Sequence, residues 1–419
     1  MKGHKKHFAA GTAILIPLLV LTVARCQTNR PLDSGASDLY WVSNTGSATV
    51  SVVSLDTKKV EKTINLKKEA GVNIARQSHF IAITDNGEYL LVGEQLGTTN
   101  GRILFVNART DQVVKKFDIG AAIGLHLSHD GRWLFSVSTG KSAIDGVNYD
   151  DVINVFDVHK QEYLGKIDHG TSPHVLDTSW DGRTLYTTTA AGGELVAYDI
   201  TGLPSTLPST PSWTFDVFQN LKDDGHITNQ DLTGLTLHAL SVHPNDRYVI
   251  VGSFDFYTTP LLTGGGDIIV DVKANKIVTR IPGRPHNYDI SPDQHYLLSG
   301  EHYSPDCEEE KYLHDHGHVE FEGPLVRVID ISELQSQSPD YSKIAVTHNI
   351  DAGALGRTGP INHQSYDRSG RYILVAASGN GSNAGGHVLI VDTQTDYKLV
   401  ANLKVGVAPH GITYPGYGR

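Results

Sequence analysis

The 419 residues predict an all-β fold, a seven-bladed β-propeller whose N- and C-terminal strands share one blade. Three observations carry that expectation: a strand–turn–strand unit that recurs along the chain, tight-turn residues at matching places in each unit, and a half-blade at either end.

The unit is clearest from His174 to Thr187, continuing from Gly193 to Asp199. It reads as a short strand, an Asp181-Gly182 turn, an alternating strand, a loop and a strand ending in Asp. The Asp-Gly pair supplies the positive φ that tight hairpins need. Parallel passages start near His79, His126, Leu237, Arg284 and Asn362. Their turns are Asn86-Gly87, Asp130-Gly131, Asn245-Asp246, Asp293-Gln294 and Ser369-Gly370. Each unit holds four short strands, which makes it one propeller blade. At the N-terminal end, Leu39–Asn44, Thr49–Asp56 and Val60–Leu66 supply a second, third and fourth strand without a first. At the C-terminal end, Ala408–Tyr414 is a first strand with nothing after it. Joining them completes a seventh blade and leaves no open edge.

Ahead of the propeller, assigned to 38–419, lie a signal or lipoprotein segment over 1–26 and a linker over 27–37. Met1–His7 is basic and Phe8–Ala24 is apolar, the form of an export signal and short for a membrane span. Cys26 follows at once, as in bacterial lipoprotein signals, although Arg25 stands where that pattern has a small residue. The expectation is a periplasmic lipoprotein touching the membrane only through its N-terminal lipid or anchor; ordinary cleavage after Ala24 and an uncleaved anchor are the alternatives. The formal net charge of -11 excludes a nucleic-acid backbone as partner, since neutralising phosphates takes a basic surface.

The loops point to one working face. The long second-to-third strand loops, Gly140–Asp150, Asp255–Gly266, His302–Gly323 and Ser378–Gly386, sit on the side where the first strands begin. The opposite turns, such as Thr57-Lys58 and Thr110-Asp111, are tight. Long loops on a rigid scaffold are where sites are built.

On that same face every unit begins with a histidine: His79, His126, His174, His238, His286, His363 and His410. His79, His174, His238 and His286 stand eight residues before the turn position, His363 seven, and His126 only five. One reading makes them inherited hydrogen-bonders between blades. The other makes all seven metal ligands at the mouth of the channel, with some supporting the ligands rather than binding. Imidazole suits copper, nickel, zinc or iron, and the chain has almost no soft sulfur, with Met1 its only methionine and Cys26 and Cys307 its only cysteines. Asp177 and Asp289, each three after a ring histidine, read either as orienters of those imidazoles or as ordinary strand-turn aspartates. The Cys307–His318 loop reads as a metal-loading or lid segment, or as a solvated acidic loop. No Cys-x-x-Cys-His attaches a c-type haem, and no Gly-x-Ser-x-Gly elbow or phosphate loop is present.

Tyr40-Trp41-Val42-Ser43-Asn44, with strands ending in Leu55-Asp56, resembles the YVTN/YncE-like propeller repeat. That resemblance covers nearly the whole of 38–419 and speaks for fold rather than activity. The seven histidines, with Ser78-His79-Phe80-Ile81 and Ile123-Gly124-Leu125-His126, resemble the propeller copper enzymes, nitrous oxide reductase and thiocyanate dehydrogenase. The resemblance implies a multinuclear copper centre and an oxidoreductase acting on a small molecule. The chain departs from nitrous oxide reductase in lacking a paired His-His in its first blade and a cupredoxin domain, so electrons would need an external carrier protein. Two alternatives stand beside this: a non-covalent haem d1-type propeller, and a non-enzymatic propeller that binds a ligand or protein.

Overall fold

The tight turns organise the molecule. In the computed structural model Gly87, Gly131, Gly182 and Gly370 take φ values of 66° to 73°, and Asp246 and Gln294 take 55° and 64° in the equivalent places. In each turn the amide at this position bonds back to the carbonyl three residues earlier, as Gly131 does to Ser128 at 2.7 Å. A side-chain clasp stiffens several of them, as where the Ser179 hydroxyl donates to Asp181 at 2.7 Å and that of Ser291 to Asp293 at 2.5 Å. These contacts are local, which is why the turns were legible residue by residue.

The structure describes residues 38–66, 76–95, 100–139, 151–189, 192–228, 235–255, 265–301, 325–351, 361–378 and 385–416, all within the unit Asp38–Arg419. They form seven four-stranded antiparallel sheets, a seven-bladed β-propeller. Blade 1 is the shared one: the C-terminal strand Pro409–Thr413 pairs with Leu39–Asn44, followed by Thr49–Ser54 and Lys59–Asn65. The innermost strands of blades 2 to 7 are Arg76–Ile83, Ala121–Leu127, Pro173–Thr178, Leu235–Val242, Pro285–Ile290 and Ile361–Tyr366.

Burial follows strand position. In Val152–Asp157 and Gly266–Asp271, third strands of their blades, every residue is buried, because neighbouring blades cover both faces. The outermost strand Lys59–Asn65 alternates instead, with Lys59, Glu61 and Thr63 turned to solvent. The cores therefore lie between blades. Trp41, Val50 and Val52 of blade 1 pack with Ile81, Leu90 and Leu104 of blade 2. Tyr40, Val42 and Ile412 pack with Leu374 and Ile390 of blade 7 on the other face.

Among the described residues a few short helical turns accompany the strands. A helix over Val217–Asp223 follows the outermost strand of blade 4. The Asp216 carboxylate caps it by accepting from the Gln219 amide at 2.7 Å, and Val217, Phe218 and Leu221 are buried. The signal segment, Cys26, the linker and the Cys307–His318 loop lie outside the described residues.

Candidate metal centre

Counting back eight residues from the turn lands on one structural feature. The ladder between first and second strands shifts register at His238, at His286, at Asn362 and at Ile123 in their respective blades. A β-bulge leaves the extra residue out of the pairing and re-aims its side chain. In blade 4 the shift falls between Pro173 and Leu176, across His174, and in blade 1 it lies opposite the segment Pro409–Ile412 that holds His410. The repeat thus places a register shift at an equivalent position in the inner strands of blades 3 to 7.

Five of the seven histidines come together there. Ring centroids are 4.3 Å apart for His174 and His238, 4.5 Å for His238 and His286, and 4.7 Å for His363 and His410. His286 lies 6.1 Å from His363 and 5.8 Å from His410. Blades 6 and 1 are not adjacent, so this last contact means that the imidazoles converge toward the axis. Two imidazoles on one first-row ion, with metal–nitrogen bonds of about 2.0–2.1 Å, have centroids roughly 4.5–6.3 Å apart, close to the spread observed.

Hydrogen bonding between blades sets the tautomer. His238 Nδ1 lies 3.3 Å from the His286 carbonyl, and His286 Nδ1 lies 2.9 Å from the Asn362 carbonyl. A carbonyl only accepts, so Nδ1 carries the hydrogen and, in the neutral imidazole, Nε2 carries the lone pair. This is the usual way a ligating histidine is oriented by its other nitrogen. Asn362 extends the chain, its amide donating to the Pro409 carbonyl at 2.6 Å. The inter-blade hydrogen bond and the ligand role are therefore compatible, each using a different nitrogen.

His363, His79 and His126 depart from the regular pattern. Asn362 holds the bulge of blade 7, and His363, one residue deeper, reaches the cluster from there, its ring 4.7 Å from Phe80. The backbone of His79 lies in the first strand of blade 2; its side chain lies outside the described residues. His126 does not join the ring. The bulge of blade 3 is occupied by Ile123, and His126 lies three residues further along the wall, against His129, with centroids 5.6 Å apart. Its Nε2 is 3.3 Å from the Asp177 carboxylate and 3.1 Å from the Thr178 hydroxyl of blade 4. Gly124 permits this approach of blades 3 and 4, since a Cβ there would stand 2.8 Å from the His174 carbonyl.

The two aspartates bond across to the next blade. Asp177 accepts from the Val242 amide at 2.8 Å, and Asp289 accepts from the Tyr366 amide at 2.6 Å. Each clips its blade to the next at the same repeat position. Asp177 does more: it also faces His126 and His129, and His129 Nε2 lies 3.2 Å from it. Burial pushes the His126 pKa down to about 4 against the pull of Asp177, so this imidazole is neutral at pH 7. Burial pushes the Asp177 carboxyl up, but the two imidazoles and the Val242 amide outweigh it and hold the group below its ordinary range.

Below the ring, a cavity of about 180 Å³ follows the inner strands, with His363, His126, His129, Asp177, Tyr288 and Thr413 among its walls. At about 30 Å³ per water, that is room for a few waters or one small molecule. Beside it, Arg327 is buried between Asp267 at 2.6 Å and Glu301 at 3.0 Å, locking blade 5 to blade 6. Glu301 ends the second strand of blade 6, and Glu94 holds the matching place in blade 2. Burial pushes the Glu94 carboxyl up to about 7, against Arg102 and Lys116. Sequence reading gave no role to His129, Asn362 or this ion network; the spacing His126-x-x-His129 was a visible signal.

No family model matches the chain, and no curated protein matches it. Among solved structures it is similar to hydrazine synthase of Kuenenia stuttgartiensis, at 15% identity and a TM-score of 0.57, covering 81% of this chain and 90% of that one. It is similar to a functionally unknown protein from Desulfotomaculum acetoxidans, at 11% identity and a TM-score of 0.60, covering 90% and 99%. A third is dihydro-heme d1 dehydrogenase NirN in complex with DHE, at 13% identity and a TM-score of 0.53, covering 94% and 78%. At these identities the likeness is one of fold.

Proposed function

We propose that this propeller is an exported oxidoreductase in which a ring of histidines holds copper, most simply as a multinuclear centre, at the mouth of the channel. One observation carries the reading. Imidazoles from five consecutive blades stand at the spacing of ligands sharing ions, two of them with Nδ1 tied to the next blade. An all-nitrogen set suits copper(II). The metals would activate the substrate, and the cavity beneath is sized for a small inorganic or organic molecule. The centre would exchange electrons with an external carrier protein. In this reading the chain works in the periplasm, tethered through a lipid on Cys26.

A second reading, a non-covalent haem held by one or two of these histidines, is favoured by the likeness in fold to NirN, whose structure contains DHE. The cavity of about 180 Å³ is smaller than the roughly 300–1,000 Å³ of common ligand pockets, so haem would have to sit above the ring. Elemental analysis of the purified chain with its visible spectrum separates the readings. Copper without a Soret band is the expected result. A Soret band would transfer the site to haem, and neither signal would leave a propeller that binds a ligand or protein.

A further inference from the structure

We propose a second metal site, separate from the ring: His126 Nε2, His129 Nε2 and a carboxylate oxygen of Asp177 hold one first-row divalent cation in the wall of the channel cavity. Among the described residues these three make the one group of His, Cys, Asp or Glu whose ligand atoms all lie within 4.8 Å of one another. The two nitrogens stand 3.3 Å and 3.2 Å from the same Asp177 oxygen. Around a tetrahedral ion with bonds of about 2.0–2.1 Å, ligand atoms are about 3.3–3.4 Å apart, which both nitrogen–oxygen distances match.

Each ligand is held by its own support. Asp177 is fixed by two backbone amides, Thr178 at 2.7 Å and Val242 at 2.8 Å. His129 lies flat on Trp180, with centroids 4.1 Å apart and planes at 16°. Trp180 is pinned in turn, its indole N–H donating to the Val242 carbonyl at 3.0 Å and its amide to Asp246 at 2.6 Å. His126 rests on the Thr178 hydroxyl at 3.1 Å, a contact that the cation would replace. All three residues line the cavity. Two imidazoles with one carboxylate and open positions form the donor set of non-haem iron(II) and of catalytic zinc sites. It is a harder set than the all-imidazole ring.

This site stands apart from the copper reading, and cobalt(II) titration of the metal-free chain tests it independently. The titration is followed through the visible d–d bands of bound cobalt. In a His286→Ala background, which disables the ring, one equivalent of cobalt is expected to bind. His129→Phe in that background keeps a flat ring on Trp180 and removes the nitrogen, and it should weaken that equivalent at least about tenfold. If the Phe variant, folded by circular dichroism, binds cobalt as tightly as its parent, Asp177 is only a hydrogen-bond bridge between two imidazoles. Absence of any bound cobalt in the His286→Ala chain would overturn the site equally.

Discussion

Replacing His286 with Ala is expected to abolish the proposed copper binding at the ring while the propeller stays folded. His286 contacts His238, His363 and His410, so its loss unmakes the centre rather than subtracting one ligand. Copper affinity at the mouth is expected to fall by roughly 100-fold or more, leaving at most the ion held by His126, His129 and Asp177. The fold is expected to survive because apolar side chains such as Val50 and Val270 build the cores between blades. His174→Ala should behave in the same way. His159→Ala is the control, since His159 is exposed in a third-to-fourth strand turn on the opposite face, and it should leave copper unchanged. If the His286 and His174 variants unfold and the parent chain carries no metal, these imidazoles serve only to join blades.

Deleting Pro409–Arg419 should unfold the ring at a much lower temperature. The lost strand pairs with Trp41–Asn44, and its Ile412 and Tyr414 are buried against Tyr40, Val42 and Leu374. Burying two such side chains contributes roughly 3–6 kcal/mol, a large part of the 5–15 kcal/mol that typically separates folded from unfolded chains. The inner edge of Leu39–Asn44, which this strand covers, also opens. A fall in Tm of more than roughly 10 °C by differential scanning calorimetry is expected. The deletion also removes His410, so His410→Ala, which keeps the strand, should melt close to the parent. Equal melting of the truncated and full chains would mean that the ring does not depend on this closure.

What was legible from sequence was what depends on local chemistry or on simple repetition. Asn86-Gly87, Asp130-Gly131 and Asp181-Gly182 announce their turns because positive φ is a property of two or three residues. Closure was legible because each terminus carries a part of one blade. The ring was legible for His174, His238 and His286 because each stands a constant eight residues before its turn, where the bulge falls.

Where reading failed, the missing quantity was the offset between blades. Counting five residues back from Gly131 and from Gly182 gives His126 and Asp177, and these equivalent positions meet across the blade boundary. Counting two back gives His129 and Trp180, which stack there. Nothing within one repeat says that equivalent positions of neighbours touch. For the same reason one repeat does not reveal that Asp177 and Asp289 accept from the Val242 and Tyr366 amides of the next blade. The Asp267–Arg327–Glu301 network draws on three strands of two blades, a grouping that no linear spacing encodes. The helix Val217–Asp223 did have a local sign, a capping Asp216 three residues before Gln219, but at seven residues it is too short for periodicity to stand out.

The site itself is best tested by anomalous diffraction at the copper edge, from crystals of the purified chain. The result expected is one or more copper peaks on the channel axis, about 2.0–2.1 Å from Nε2 of His238 and His286. Waters or protein hydrogen bonds on both of those nitrogens, with no anomalous peak at the ring, would contradict a copper centre there.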